Sequence, residues 1–343
     1  MANKNTNLHQ AKEAKKDEFY TRCEDIEREV YHYRRQFEGK TVLCNCDDPR
    51  VSEFFQYFAL NYEWLGLKRL ICTCYKNNDI NLFSQHDKEQ AVYIIYDGDR
   101  NQNNHIDLEE LDVKPLKGDG DFRSQECIEL LKQADIVVTN PPFSLFREYV
   151  KQLMDYDKKF LIIGSQNAIS YKEIFQFIKE NKIWVGYHSG DMAFRVPADY
   201  EPRETRYWQD ETGQKWRSMG NITWFTNLDT KKRHEELELF KKYLPEEYPK
   251  YDNYDAIEVS RTQNIPEDYD GVMGVPITFL DKYNPDQFEI LGITQRNDDP
   301  YKTKKYTKEE YKNANDLNAR AVIIVDGVPK TTYARILIRK KHK

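Results

Sequence analysis

Two rhythms alternate along the first half of the chain: short apolar, β-branched runs, and stretches in which apolar residues recur with helical period. Thr41–Cys46, Lys68–Cys74, Ala134–Thr139 and Lys159–Gly164 read as buried strands, and Trp184 opens another. Arg22–Phe37 sets Ile26, Val30, Tyr33 and Phe37 on one helical face, with Thr21 as its predicted N-cap and Glu24 at capping-box distance. Val51–Leu60, Ser124–Gln133, Phe146–Met154 and Tyr171–Asn181 are further predicted helices, the last with Ile174, Phe175 and Ile178 inward. Strand and helix in turn predict an α/β fold with a doubly wound, mostly parallel sheet. Residues 77–116 interrupt the rhythm. They are polar and turn-rich around V-Y-I-I-Y, and read as an insertion forming a β-hairpin on one sheet edge.

From His188 the rhythm breaks. Ser189–Gly220 interleaves Arg195, Arg203, Arg206, Lys215 and Arg217 with Tyr207, Trp208 and Trp216, a composition suited to phosphates and an opened base. Asn221–Asn227 returns to strand character. Residues 246–281 are turn-rich, and short strands after Phe288 alternate with a polar segment at 300–319. The expected organisation is a flexible arm at 1–16, a catalytic domain at 17–187 and a further region at 188–343 ending in a basic tail.

Composition narrows this picture. A chain of 343 residues can hold a large catalytic domain with an appended module, and 13% aromatic content argues for packed cores. No apolar run is long enough to span a membrane and no charged-then-apolar leader is present, so a soluble, cytoplasmic protein is expected. A net charge of −6 disfavours a protein that simply coats polyanions. Positive charge gathers locally instead, at Lys231-Lys232-Arg233 and in Arg335, Arg339, Lys340, Lys341 and Lys343. The pairs Cys44/Cys46 and Cys72/Cys74 lie two apart in apolar strands, where thiols pack as small hydrophobes; the spacing is wrong for zinc, and no metal is expected. The D-x-D-x-N spacing from Asp97 lacks the glycine and glutamate of a calcium loop.

The chemistry gathers at Asn140-Pro141-Pro142-Phe143. Two prolines stop the strand ending at Thr139 and stiffen the loop beyond it, at the sheet edge where open α/β folds place ligands. The Asn140 side-chain carbonyl and the Pro141 carbonyl can accept the two hydrogens of one exocyclic amine. Neither titrates near neutrality, so the amine lone pair can be aimed without a strong base. Phe143 offers a flat face to a heterocycle.

N-P-P-F after an apolar strand resembles the catalytic motif of amino-methyltransferases that use S-adenosyl-L-methionine. K-K-D-E-F-Y-T, C-N-C-D-D-P-R-V-S, G-D-G-D-F-R-S, V-V-T-N-P-P-F-S-L-F, Y-D-N-Y-D-A-I and G-V-M-G-V-P-I-T-F-L together resemble the EcoRI-type adenine-specific DNA methyltransferases over nearly the whole chain. The resemblance implies transfer of a methyl group to N6 of a flipped adenine in double-stranded DNA, with G-A-A-T-T-C or a similar site as target. It implies catalysis by Asn140, Pro141, Pro142 and Phe143, and a cofactor held by Phe19, Tyr20 and Thr21, by Asp47, Asp48 and Pro49, and by Asp121 and Phe122. Asp121 is expected to accept from the cofactor's adenine amino group, and Asp47 or Asp48 to face its methionyl amine. Two features depart from most such enzymes. No glycine stands between Gly39 and Gly66, and the second strand ends in Cys74-Tyr75-Lys76 with no acid for the ribose. Motif order places target recognition in roughly 188–335. A monomer is expected, with a cognate restriction endonuclease acting on the same site without direct contact. Cytosine N4, an RNA adenine or a protein glutamine are alternative acceptors, and a catalytically silent DNA-binding module is the alternative of another class.

Overall fold

The apolar runs become neighbouring strands because each can bury both faces only between helices. The structure, a computed structural model, describes residues 19–45, 52–73, 91–99, 111–196, 198, 200–295 and 299–341. Its first unit comprises the described residues of 19–168 and 185–228. In chain order it contains β1 (Tyr20–Thr21), α1 (Cys23–Val30), β2 (Thr41–Cys44), α2 (Glu53–Leu60), β3 (Arg69–Thr73), β4 (Val92–Tyr96) and β5 (Asp112–Pro115). These are followed by α3 (Gln125–Gln133), β6 (Ile136–Thr139), α4 (Phe146–Asp155), β7 (Lys159–Ser165), β8 (Trp184–Arg195), β9 (Tyr207–Gln209) and β10 (Lys215–Thr226).

The strands form one 10-stranded sheet in the order β1-β8-β10-β7-β6-β2-β3-β4-β5, with β9 on β10. Its centre, β3-β2-β6-β7, is parallel, as the alternation predicted. The flanks are antiparallel: the β4–β5 hairpin extends β3, and β10 closes on β7. Alternate residues of the central strands face opposite ways. Val42, Cys44, Leu70, Cys72, Ile136, Val138, Leu161 and Ile163 share a core with Ile26, Val30, Phe54 and Phe58 of α1 and α2. α3 and α4 cover the other face, where Phe146 meets Phe225 at 5.0 Å. Gly164 permits that approach, since a Cβ there would lie 2.5 Å from the Phe146 ring. Cys44 and Cys72 are register partners on β2 and β3, and both are buried.

Helix starts follow local chemistry. Ser52 Oγ accepts from Phe55 N at 3.4 Å and Ser124 Oγ from Cys127 N at 3.2 Å, so each hydroxyl satisfies an otherwise orphaned amide. The first predicted helix differs from expectation. α1 gives way to a 3-10 turn at Tyr31–Tyr33 and a helical turn at Arg34–Phe37, and Arg22, not Thr21, stands at its N-cap. Pairing with Phe194 draws Thr21 into β1 instead.

The units also divide elsewhere than at 187/188. Residues 185–228 belong with the first unit, whereas 169–184, including the helix α5 (Lys172–Lys179), belong with 229–343. The second unit holds β11 (Ile257–Glu258), β12 (Met273–Pro276) and β13 (Phe288–Ile293), then a helix α6 (Ala314–Ala319). The hairpin β14 (Val322–Val325) and β15 (Val328–Thr331) follows, and β16 (Arg335–Lys340) ends the unit. A four-stranded sheet runs β11-β12-β16-β13. The Y-D-N-Y-D-A-I phrase is structural here. Asn253 is fully buried, donates to Arg320 O at 2.8 Å and accepts from Val322 N at 2.8 Å.

The described part of the basic tail is an interior strand, not an appendage. Arg335 pairs with Glu258 at 2.6 Å, both largely buried, and Arg339 pairs with Glu289 at 2.8 Å. Arg233 is likewise buried, on Asp229 at 3.1 Å and over the Trp184 ring at 3.7 Å. No helix among the described residues is long and apolar enough to cross a membrane.

Candidate active site

β6 is buried at every position, and the two prolines end it at the carboxyl edge of the parallel centre. Asn140 stands there, 7% exposed. Its Nδ2 donates to the main-chain carbonyl of Phe19 at 2.6 Å, while its Oδ1 is buried without a partner. The carboxamide is therefore oriented, with its acceptor left open. Phe143 opens a short 3-10 turn, closed by Leu145 N donating to Pro142 O at 2.9 Å. Its ring lies nearly parallel to that of Phe19, with centroids 6.0 Å apart. Phe19 also meets Phe194 at 5.7 Å and Tyr200 edge-on at 6.3 Å, so four aromatic rings gather beside the loop.

Pairing of Tyr20 with Arg195 and Thr21 with Phe194 brings F-Y-T to this edge. The Thr21 hydroxyl is a second buried oxygen without a partner. An unmade hydrogen bond at a buried group costs about 1–3 kcal/mol, so two orphans around one strand mark a place where a ligand can supply partners.

The Asp121 carboxylate is clamped within its own turn. Arg123 holds both carboxylate oxygens, from Nε at 2.9 Å and Nη2 at 2.7 Å, and its backbone N adds a third bond at 2.8 Å. The guanidinium keeps the Asp121 carboxyl below the usual carboxylate range. Phe122 is buried, edge-on to Tyr149 at 5.0 Å. Asp47, Asp48 and Pro49 lie outside the described residues.

The basic residues of Ser189–Gly220 separate by role. β9 and β10 form a hairpin whose Asp210–Gly213 turn is closed by Gly213 N on Asp210 O at 3.0 Å, with Gly213 at φ +84°. Trp208, exposed, stacks on Trp216 at 6.4 Å. Arg203 is exposed and Arg217 half-buried. Arg195 lies over the Tyr20 ring at 5.1 Å, and Arg206 pairs with Asp191 at 3.1 Å. The Lys215 ammonium donates to the carbonyls of Ala198 and of Tyr200, the latter at 3.1 Å, which braces the chain leading into the hairpin. A cavity of about 450 Å³ is lined here by Tyr20, Arg195, Val196, Gln209, Gln214 and Lys215.

Sequence reasoning missed Asn45, Tyr149 and Arg123. Asn45 follows β2 and is buried; its carbonyl accepts from the Thr139 hydroxyl and its Oδ1 from the Tyr149 hydroxyl. A polar residue at the carboxyl end of an otherwise apolar strand was the only available signal.

A family model described as the adenine-specific methyltransferase EcoRI matches residues 7–341. The type II methyltransferase M.EcoRI of Escherichia coli is 53% identical over 297 residues, covering 85% of this chain and 90% of that protein. M.MgeORF184P of Mycoplasma genitalium is 40% identical over 98% of this chain and 99% of its own length. M.MpnI of Mycoplasma pneumoniae, also named a type II methyltransferase, is 37% identical over 98% of both chains. No solved structure shows significant similarity.

Proposed function

The chain belongs to the EcoRI family of adenine-specific methyltransferases, and from that premise we propose that it methylates N6 of an adenine flipped out of double-stranded DNA. The observation that carries this reading is the Asn140 carboxamide, held through Nδ2 by Phe19 so that Oδ1 is the open acceptor. Asn140 Oδ1 and the Pro141 carbonyl take the two N6 hydrogens, which turns the nitrogen lone pair towards the methyl donor. Pro142 stiffens the loop, and Phe143 stacks on the flipped ring in place of Phe19.

S-adenosyl-L-methionine, the donor implied by the family, supplies a methyl group made electrophilic by a sulfonium charge. The residues present fit it. Thr21 offers an unpaired hydroxyl beside the catalytic loop, and Phe19 and Tyr20 wall the same edge. Phe122 presents a buried ring, and Asp121 an ionised carboxylate whose remaining lone pairs can accept from the donor's adenine amino group. Asp47, Asp48 and Pro49 complete the set on sequence grounds.

DNA contact is assigned to Arg195, Arg203, Arg206 and Arg217 with the β9–β10 hairpin, and Lys215 to bracing it. The second unit is assigned to reading the target, for which G-A-A-T-T-C is the first candidate. The biological role proposed is protection of that site, in the cytoplasm, against a cognate endonuclease.

The test is transfer of labelled methyl to a G-A-A-T-T-C duplex and to the same duplex lacking the site, with digestion to nucleosides. N6-methyladenine in the first alone supports reaction, base and site together. N6-methyladenine in both keeps the chemistry and removes the site. No incorporation with the donor bound discards the DNA-adenine assignment.

A further inference from the structure

α4 follows the catalytic loop directly, and three of its side chains reach back to the two segments that flank the donor site proposed above. Tyr149, fully buried, donates its hydroxyl to Oδ1 of Asn45, the residue leading from β2 into C-D-D-P. The same ring meets Phe122 edge-on at 5.0 Å. One turn on, Gln152 Nε2 donates to the Phe122 carbonyl at 3.0 Å. One residue before Tyr149, Glu148 takes Arg123 Nη1 at 2.8 Å, and Arg123 in turn clamps Asp121. Thr139, the residue before Asn140, adds its hydroxyl to the Asn45 carbonyl. One buried asparagine thus joins the end of β2 to both sides of the catalytic loop, and one helix grips G-D-F.

A rigid helix bonded to two loops and covalently continuous with a third fixes their mutual register. Small displacements at such a junction are expensive because methyl transfer depends on positioning. We infer that Tyr149 is a positioning residue that registers the donor site against Asn140, acting through Asn45 and Phe122. The inference rests on the S-adenosyl-L-methionine reading. Tyr149→Phe is the sharp probe, since it keeps the ring against Phe122 and removes the hydroxyl that bonds Asn45.

The experiment is calorimetric titration of S-adenosyl-L-homocysteine into wild type, Tyr149→Phe, Asn45→Ser and the double variant, with Tyr254→Phe as control. Tyr254 also donates a buried hydroxyl, to Asp299 at 3.3 Å in the second unit. Affinity is expected to fall about tenfold in each single variant and no further in the double, because both remove the same bond. KM for the donor is expected to rise alongside while KM for DNA stays put, and Tyr254→Phe is expected to bind as wild type. Tyr149→Phe and Asn45→Ser binding within twofold of a competent wild type would overturn the inference, as would fully additive losses. Wild type that fails to bind at all would overturn the donor reading itself. Asn45→Ser leaves the Tyr149 packing intact, so the question stays decidable if Tyr149→Phe does not fold.

Discussion

The side-chain amide of Asn140 donates to the main-chain carbonyl of Phe19, 2.6 Å away across 121 positions of sequence. A carboxamide has a donor and an acceptor end, and this bond leaves the acceptor, Oδ1, open for the amine proposed above. Asn140→Ala is expected to lower turnover by about 10²–10³ or more while S-adenosyl-L-homocysteine still binds, because the lost acceptor acts on the target base. Asn140→Asp faces a further penalty. An ionised carboxylate next to the Phe19 carbonyl sets two acceptors against each other, and only the protonated acid can donate. Its residual activity should therefore rise as pH falls towards the carboxylate range. Turnover of Asn140→Ala near wild type would remove this residue from the chemistry.

Thr21 separates binding from stability. Its hydroxyl is buried and unpartnered without a ligand. Thr21→Val keeps the shape and deletes the orphan, so the melting temperature of the free protein should not fall. If the hydroxyl bonds the donor, affinity for S-adenosyl-L-homocysteine should drop by about tenfold. A loss of affinity without a loss of stability is the signature. A parallel loss in both would make Thr21 an ordinary packing residue.

The parallel centre and the stiff Pro-Pro loop after β6 were legible because their causes are local. β-branched runs, helical spacing and a Pro-Pro stop each act within a few residues. What escaped the sequence depends on partners far along the chain. Thr21 and Glu24 have capping-box spacing, yet strand pairing with Phe194 decides where Thr21 goes. Glu29, a charged residue on the first predicted helix, is fully buried. It accepts from Tyr33 at 3.0 Å, from Tyr187 N at 2.7 Å, and from His188 N and Nδ1 at 2.9 and 2.8 Å. The later part of β8 and the first half of β10 fell where the rhythm breaks, because Arg, Tyr and Trp mask their period. Pairing with β7 draws β10 back into the sheet.

Two arginines that look alike in sequence should behave differently. Arg203 is exposed on the segment assigned to DNA. Arg203→Ala should weaken DNA binding evenly across sequences and reduce the slope of log affinity against log salt by about 0.9, with no change in melting temperature. Arg335 pairs with Glu258 at side-chain exposures of 12% and 9%. Arg335→Ala strands a buried carboxylate and should destabilise the fold by about 3–5 kcal/mol in denaturant melts. A salt-slope change for Arg335→Ala without loss of stability would return the basic tail to the phosphate backbone.

The Arg123–Asp121 clamp makes a claim about pH. Arg123 holds the Asp121 carboxyl below its ordinary value of 3.8, so the folded state binds this proton less readily than the unfolded chain. The stabilisation is therefore complete above the ordinary value and is lost as pH falls through the depressed one. Arg123→Met removes the cause and lets the carboxyl return towards 3.8. Denaturant melts of wild type and Arg123→Met at pH 7, 5, 4 and 3.5 should show a constant gap at the two higher values and a narrowing gap at the lower two. The carbon resonance of the Asp121 carboxyl should titrate at higher pH in the variant. At neutral pH both proteins keep the carboxylate ionised, so any loss of S-adenosyl-L-homocysteine affinity in Arg123→Met at pH 7 reports orientation of the oxygens and not their charge. A gap that widens on acidification would mean that Arg123 acts through another partner, with Glu148 the next to examine.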